Sequence, residues 1–304
     1  MSEIKDKRGL SITMIFKAQS LNYGEGIGNI SELKKLSRGD GSTYTFASRQ
    51  ALRYDIARLG HKMFGWNLEV VDKSKGTVQF KDDLTIEDSE EMDLFGYMKT
   101  AKKTESENGG SNVRSAAVRL SNAISLEQYK SDMDFLNNKG LADRINEFPN
   151  LANIEQHLSF YTYTITIDLE KIGIDNEIKL DNSIKAKRVK ELLEIVKVLN
   201  REIRGREENL SPVFVIGGLY KLNTPFFLGR IKLNGKDGEF SLDTEMLKDT
   251  MTLKLGENSI EEDTKVGVLK DIFKNEAEIQ KEFKTSNIQE FFENLENEID
   301  EYYK

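Results

Sequence analysis

The chain has 304 residues, of which 32% are charged and 38% are hydrophobic, a balance typical of a soluble protein with a substantial core. It contains no cysteine, which excludes disulfides, zinc–thiolate sites and cysteine nucleophiles. The net charge of −8 hides a gradient, because residues 1–62 hold 11 Lys and Arg against 6 Asp and Glu, whereas residues 237–304 hold 8 against 19.

This gradient allows a basic surface within an acidic protein. The field of surface charges is local and is screened over ~8 Å, so the N-terminal part can bind a polyanion despite the negative average. The chain start is charged and is followed by no apolar segment of the signal-peptide type, and no apolar run is long enough to span a membrane. We therefore expect a cytoplasmic protein without membrane contact.

The first predicted element is a strand that begins at Arg8 and ends at Lys17. Its apolar residues alternate with more polar ones, and they are Leu10, Ile12, Met14 and Phe16. We expect one buried face and one open face, and the open face that ends at Lys17 is predicted to be the floor of a groove. The glycine-rich residues 18–44 match neither G-x-G-x-x-G nor a P-loop, which favours a mobile loop over a nucleotide cradle.

A helix is predicted over residues 45–63, where apolar residues recur at helical spacing. They are Leu52, Ile56, Leu59 and Met63. Arg49 and Arg53 lie four residues apart along the border of this apolar stripe. The pair fits phosphate binding by planar guanidinium groups, and it fits two structural salt bridges equally well. Arg58 and Lys62, on the opposite side, are predicted to be solvated.

Residues 65–158 are predicted to be an insertion with many loops, and not a separate domain. Short strands at Val70–Val71 and Thr77–Phe80 are expected to pair around a turn. The acidic residues at 87–93 favour a solvated face over a metal site, because the ligands of hard cations usually come from separate elements.

Polar residues without an apolar anchor predict a disordered tip near residues 99–112. The residues that follow, 113–126, interleave small, polar and basic side chains. This pattern lets the backbone approach a ligand while Arg114 and Arg119 supply positive charge.

The second half of the chain begins with a strand at residues 160–168, where Tyr and Ile alternate with Thr. A helix is predicted over residues 183–203, and its end is rich in arginines, namely Arg201, Arg204 and Arg206. Basic residues there complement the helix dipole, which explains part of this pattern. A short strand follows at residues 213–216, and acidic helices are expected over residues 257–304.

The order of these elements is β-α-β-β-α-β, which predicts an α+β fold of the ferredoxin-like or RRM-like type in one domain that spans residues 1–304. That layout places both helices on one face of the sheet and frees the other, a surface that RNA-binding domains often use.

Several separated blocks, in the expected order between residues 8 and 235, resemble the DevR-type family of CRISPR-associated proteins. The blocks are Arg8–Phe16 with Asn22, Ser48–Arg53, Asp93–Gly96, Arg114–Ala116 through Ser125, and Leu210–Pro212. This family is the repeated backbone (Cas-seven type) subunit of subtype I-B Cascade, in the RAMP superfamily. The resemblance implies an RRM-like palm with inserted finger and thumb elaborations. Copies of it would polymerise along one guide RNA (crRNA) and present the RNA for pairing with target DNA in antiviral defence.

The resemblance also implies where RNA is bound. The expected RNA-binding residues are Lys17, Ser20 and Asn22 after the first strand, Ser48, Arg49, Gln50 and Arg53 on the first helix, Arg114, Ser115 and Arg119 in the middle block, and Arg204 and Arg206. Phe226 and Phe227 are adjacent aromatics that cannot both face inward from a regular strand, and they are the candidates for a thumb wedge. The implied partners are crRNA, neighbouring copies, other Cascade subunits and target DNA.

Two other functions stay open on the sequence. An RNA-cleaving subunit of the type III kind would use an aspartate in a loop after the first helix or strand. Asp40 is the only nearby candidate, although no histidine, lysine or second acid is obviously paired with it. A regulator that binds RNA as a monomer is the third possibility. The favoured interpretation is non-catalytic, with no catalytic residue, metal site or cofactor.

Overall fold

The structure is a computed structural model that describes residues 2–73, 76–100 and 111–304. It is mixed α+β, as expected. The helices are α1 (Ser2–Lys5), α2 (Arg49–Phe64), α3 (Glu90–Phe95), α4 (Lys139–Ala142), α5 (Asn182–Lys197), α6 (Thr244–Met251), α7 (Glu276–Glu282) and α8 (Ile288–Tyr303). No helix of the described residues is long and apolar enough to cross a membrane.

The strands vary in length from two to eleven residues. They are β1 (Gly9–Gln19), β2 (Ile30–Ser31), β3 (Lys35–Ser37), β4 (Thr43–Ala47), β5 (Val71–Asp72), β6 (Gln79–Phe80), β7 (Tyr97–Thr100), β8 (Ser111–Arg114), β9 (Val118–Leu120), β10 (Ala123–Ser125), β11 (Asp132–Asn137), β12 (Leu151–Gln156), β13 (Leu158–Asp168), β14 (Ile174–Asp175), β15 (Ile178–Lys179), β16 (Asn200–Ile203), β17 (Arg206–Asn209), β18 (Phe214–Tyr220), β19 (Leu233–Lys236), β20 (Glu239–Leu242), β21 (Lys254–Leu255), β22 (Asn258–Ser259), β23 (Lys265–Val268) and β24 (Thr285–Ser286).

The main sheet has the strand order β24-β23-β18-β1-β13-β10-β4-β3, and β9 also pairs with β13. The central strand β1 pairs antiparallel with β13 on one side and with β18 on the other. On one face of the sheet, the apolar residues of β1 pack with α2, α5 and α8 in a large core. On the other face, β1, β13 and β18 pack with α6, α7 and the strands around them in a second core.

The second core overturns the prediction that β1 has an open polar face. Ser11 and Thr13 are each only 1% exposed, and Ile15 is fully buried. The Thr13 hydroxyl forms a hydrogen bond of 2.8 Å with the hydroxyl of Thr164 on β13, which satisfies both groups without water. The C-terminal half of the chain covers this face, so only the end of the strand, at Lys17, stays exposed.

Helix α2 begins four residues later than predicted, because residues 43–47 form β4. The Ser48 hydroxyl accepts a hydrogen bond from the Ala51 amide and so caps the helix. Leu52, Ile56 and Leu59 are buried as predicted, whereas Met63 is partly exposed in the last turn. Arg58 is not simply solvated, since its guanidinium donates to the Asn200 side chain at 2.6 Å.

The predicted helix over 183–203 ends early, and α5 stops at Lys197. Residues 200–209 instead form the hairpin of β16 and β17. Its turn consists of Arg204 and Gly205, which have φ angles of +48° and +76°. Two successive residues in the left-handed region make the tight turn of a two-residue hairpin, so the arginine-rich segment is a hairpin and not a helix terminus.

The predicted mobile loop at residues 18–44 contains β2 and β3. Strand β2 pairs with β12, and β3 pairs with β4. Strands of two or three residues are too short to show alternation in a sequence, which explains why a loop was the expectation.

The predicted insertion at 65–158 is not continuous, because β9 and β10 lie inside it and belong to the main sheet. The expected pairing near residues 70–80 is present as β5 with β6. The predicted disordered tip at 99–112 falls largely on residues 101–110, outside the described part, and its flanks are the paired ends of β7 and β8. The C-terminal segment 257–304 holds α7 and α8, and its strands β23 and β24 extend the main sheet.

Two carboxyl groups meet where α8 packs on α5. Burial, a hydrogen bond with Glu194 and the negative charge of Glu194 raise the pKa of Glu296 from 4.5 to about 7. Lys197 contacts Glu194 at 2.5 Å, and Lys190 contacts Asp300 of α8 at 2.8 Å. Between pH 4.5 and about pH 7, Glu296 keeps a proton in the folded protein that it has lost in the unfolded chain. The free energy of unfolding therefore falls as the pH rises through this range.

We therefore expect Glu296→Gln to remove part of the pH dependence of stability. Urea unfolding at about pH 5 and about pH 7.5 measures it, and the wild type should lose more stability across this interval than the variant does. The same loss in both proteins would contradict the assignment to Glu296.

Candidate nucleic-acid interface

A cavity of ≈390 Å³ lies between the first turns of α2, the end of α3 and strand β9. Its lining residues are Arg49, Gln50, Arg53, Phe95, Ala116, Val118, Arg119 and Leu120. The fold thus brings together four of the predicted RNA-binding residues, from two segments about 70 positions apart in the sequence. We call this site the α2 cavity.

Arg49 and Arg119 supply free positive charge to the α2 cavity. Both side chains are exposed, and neither forms an ion pair with any residue of the described segments. The Arg49 amide donates to the side-chain oxygen of Asn122 at 2.9 Å, which fixes the start of the helix beneath the side chain. Two arginines of this kind offer planar, multi-donor groups to a phosphate backbone.

Arg53 forms a structural salt bridge, one of the two interpretations that the sequence left open, and phosphate binding stays a prediction. Its Nε and Nη2 atoms donate to Glu91 Oε1 at 3.1 and 2.8 Å, so a structural salt bridge is present. Its guanidinium lies over the ring of Phe95, 5.0 Å from the centroid, and it also lines the cavity. Arg53 is therefore held in position at the cavity by two neighbours.

Ser48 and Asn22 use their side-chain oxygens in structural hydrogen bonds, and their contact with RNA stays a prediction. Ser48 Oγ caps α2, and Asn22 Oδ1 accepts a hydrogen bond from the Ser48 amide at 3.1 Å. Asn22 and Asn122 together fix the start of α2, because they accept hydrogen bonds from the successive amides of Ser48 and Arg49. Asn122 was not among the predicted site residues, and the only sequence signal for its positioning role is its place between Ser121 and Ser125.

Ser20 is also a structural residue and not a ligand residue. It is fully buried, its hydroxyl donates to Gln156 Oε1 at 2.9 Å, and the amide of His157 donates to the same hydroxyl. Its φ of +56° marks the tight bend by which the chain leaves β1. The prediction of RNA contact is corrected, because burial denies the hydroxyl to any ligand.

Arg114 is corrected for the same reason. Its guanidinium is buried, pairs with Asp93 Oδ1 at 2.7 Å and also donates to the Lys171 carbonyl oxygen at 2.8 Å. Asp93 Oδ2 accepts from Arg188 of α5 at 2.8 Å, so one buried carboxylate joins three parts of the chain. Ser115, the next residue, is exposed in the link between β8 and β9. Asp93 was expected to be solvated together with the other acidic residues at 87–93, but it is fully buried.

Lys17 lies away from the α2 cavity. Its ammonium is 5.5 Å from the centroid of the Phe160 ring, and both residues line a separate cavity of ≈540 Å³. It is on the sheet face that carries the second core, whereas α2 packs on the first face. The predicted groove floor from β1 to the helix arginines is therefore not continuous.

Arg204 and Arg206 form a second basic position on the β16–β17 hairpin. The guanidinium of Arg204 lies over the ring of Tyr23, 4.4 Å from the centroid, and is exposed. Arg206 pairs with Glu208 at 3.7 Å. Burial raises the pKa of Tyr23, while the nearby arginines lower it, so the hydroxyl is neutral at physiological pH.

The proposed wedge residues do not project from the protein. Phe227 is fully buried in the second core, and Phe226 packs edge-on against Tyr220 with ring centroids 4.9 Å apart. Exposed apolar side chains occur instead on the hairpin of β11 and β12 and on the segment that joins these strands. Phe148 is 93% exposed there, and Ile145 is 71% exposed.

Asp40 lies in the exposed turn between β3 and β4. Its Oδ1 accepts hydrogen bonds from the amide and the hydroxyl of Ser42, and these bonds hold the pKa of Asp40 below its usual value. Across residues 2–73, 76–100 and 111–304, no three His, Asp or Glu residues are grouped to hold a metal ion. The side chain thus completes a turn in the described structure.

A sequence profile of the family described as "CRISPR-associated negative auto-regulator DevR/Csa2" matches residues 10–236. Comparison with curated proteins gives no match. A chain of a "CRISPR RNA-guided surveillance complex, pre-nicking" superposes with a TM-score of 0.55 at 12% identity, covering 94% of this chain and all of that chain. A chain of a "CRISPR RNA-guided surveillance complex" superposes with a TM-score of 0.54 at 14% identity, covering 94% and 99%. Likeness at such low identity shows a shared fold.

Proposed function

This chain belongs to the CRISPR-associated DevR/Csa2 family, and on that premise we propose that it is a non-catalytic crRNA-binding backbone subunit of a type I-B surveillance complex, Cascade. The observation that carries this proposal is the α2 cavity, which Arg49 and Arg119 both line, exposed and without an ion pair among the described residues. Its partners would be crRNA, neighbouring copies, other Cascade subunits and target DNA, in the cytoplasm.

The core of the sheet supports assignment of an RRM-like palm. The strands β18, β1, β13 and β10 are neighbours in that order and antiparallel throughout, while α2 and α5 pack in the core on one face. A chain with the element order β-α-β-β-α-β adopts this arrangement if β9 and β10 together count as the second strand, β13 as the third and β18 as the fourth. Residues 65–117 would then be the finger, and the hairpin of β11 and β12 would be the thumb.

We reassign the wedge from Phe226 and Phe227 to this hairpin. Apolar side chains that protrude into solvent, such as Phe148 and Ile145, can insert between bases and unstack them. Strands β11 and β12 form, with β2, a sheet separate from the main one, so these side chains lie outside the sheet of the palm. Kinking of the guide RNA would then occur beside the hairpin, leaving the other bases available for pairing.

Binding through arginine–phosphate contacts would be independent of the RNA sequence. Contacts from arginine to phosphate carry no sequence information, as a protein that accepts every guide requires. The α2 cavity, the Arg204 hairpin and Lys17 would each contact a different part of the RNA path. An acidic protein can bind in this way because the positive groups are local.

Sedimentation of the purified protein with RNA of increasing length tests the proposal. We expect the number of copies bound to rise in proportion to RNA length, as for a subunit that polymerises along a guide. One copy bound at every length would favour a regulator that binds RNA as a monomer; the family description names a negative auto-regulator.

Cleavage of target RNA through Asp40 is the catalytic alternative. Because Asp40 forms hydrogen bonds with Ser42 and belongs to no metal-binding group of three or more His, Asp or Glu side chains among the described residues, we expect Asp40→Ala to leave RNA length and RNA binding unchanged. The assay is incubation of the assembled protein with complementary RNA and a divalent cation. Cleavage by the wild type that disappears in Asp40→Ala would overturn the non-catalytic assignment.

A further inference from the structure

The α2 cavity has a composition that phosphate binding alone does not explain. Its volume of ≈390 Å³ is in the range of sites that enclose small organic groups. Beside the charged groups of Arg49 and Arg119, its lining includes the apolar side chains of Phe95, Val118 and Leu120. A phosphate gains nothing from apolar walls, because a buried charge needs polar partners. The apolar part therefore suits an uncharged, flat group.

Arg53 differs from the other two arginines of the cavity in how its charge is used. Its salt bridge with Glu91 offsets the positive charge and occupies two of its donors. The guanidinium also lies over the Phe95 ring, so Glu91 and Phe95 fix its position from two directions. It is partly exposed, with a third of the side chain accessible. A guanidinium held in this way presents a planar surface, and such planes stack on unpaired bases.

We propose that the α2 cavity binds one unpaired nucleotide of RNA, with its base stacked on Arg53 and its flanking phosphates on Arg49 and Arg119. The inference rests on the proposed function, because the nucleotide belongs to a bound RNA strand. Stacking uses the π face that every base has, so the site accepts any base. Glu91 and Phe95 are positioning residues that act through Arg53.

The test uses two RNAs of equal length, one normal and one abasic at every position, so that both keep ribose and phosphate. Arg53→Lys keeps the charge and removes the plane, while Arg119→Lys keeps the charge at the cavity rim and is the matched control. We expect Arg53→Lys to weaken binding of the normal RNA about tenfold and to leave binding of the abasic RNA unchanged. Arg119→Lys should change the affinities for both RNAs by the same factor.

Equal effects of Arg53→Lys on both RNAs, or no effect on either, would overturn the inference, because Arg53 would then contribute charge alone or nothing. Failure of the wild type to bind either RNA would instead overturn the proposed function. If Arg53→Lys melts below the wild type, Glu91→Gln provides the second variant, since it releases the guanidinium without removing it. Glu91→Gln should weaken binding of the normal RNA and leave binding of the abasic RNA unchanged. An equal loss of affinity for both RNAs would again contradict the stacking role.

Discussion

Replacing Arg49 and Arg119 together with alanine is expected to weaken binding to single-stranded RNA by about 10- to 100-fold at physiological salt. Each side chain loses a charge-assisted contact with phosphate, and neither is needed for the fold because neither has an ion-pair partner among the described residues. The slope of log affinity against log salt should fall in magnitude by about 1.4, since each phosphate contact on a single strand contributes about 0.7. Titrations at several salt concentrations measure both quantities.

The matched control removes two positive charges elsewhere. Lys62 at the far end of α2 and Lys270 after β23 are exposed and have no ion pair in the described part of the chain. Lys62→Ala plus Lys270→Ala lowers the net charge equally, and it should leave affinity and salt slope nearly unchanged. Equal losses in the two double variants would mean that RNA responds to overall charge and not to the α2 cavity.

The largest expected effect on stability is that of Asp93→Ala. Asp93 is fully buried, and its carboxylate pairs with Arg114 and Arg188, whose side chains are each 5% exposed. It also accepts the Gly173 amide at 2.9 Å. Removing it leaves the buried Arg188 without its anion and leaves Arg114 only the longer contact with Asp175 at 4.0 Å. The loss of this buried anion costs about 3–5 kcal/mol of unfolding free energy. Urea unfolding measures this loss.

Glu87→Ala is the control, because Glu87 belongs to the same acidic segment but is exposed. Its effect should stay within about 0.5 kcal/mol. If Asp93→Ala proved as mild as Glu87→Ala, the buried ion-pair cluster would not be a stabilising centre. The cluster joins α3, β8 and α5, so its loss should also loosen the wall of the α2 cavity that Phe95 forms.

Long elements with clear periodicity could be predicted from the sequence. The apolar stripe of α2 and the alternation in β13 depend on local repeats, which survive in any tertiary context. The sequence predicts helix up to residue 203 because Leu199 and Ile203 continue the apolar spacing of α5, although α5 ends at Lys197. No local pattern reveals the left-handed turn at Arg204 and Gly205 that joins β16 to β17. The cover over the second face of β1 comes from residues two hundred positions away, which no local pattern reveals.

Only some residues of the candidate site could be predicted, because their burial depends on partners far away in the sequence. The fold brings together four of the predicted RNA-binding residues, namely Arg49, Gln50, Arg53 and Arg119. Arg114 and Ser20 come from the same blocks but are buried, and sequence alone does not distinguish a basic residue that faces RNA from one that pairs with a distant acid. The partner of Arg114 in the core, Asp93, is 21 residues away, and that of Arg188 is 95 away.

The central claim is tested most directly by isolating the protein from its native source and sequencing the RNA that remains bound. The account predicts a short RNA of uniform length, with one constant end from a repeat and a variable interior, and with several copies of the protein per RNA. Recovery of no RNA, or of heterogeneous cellular fragments without a shared end, would contradict the assignment of this chain as a guide-RNA backbone subunit.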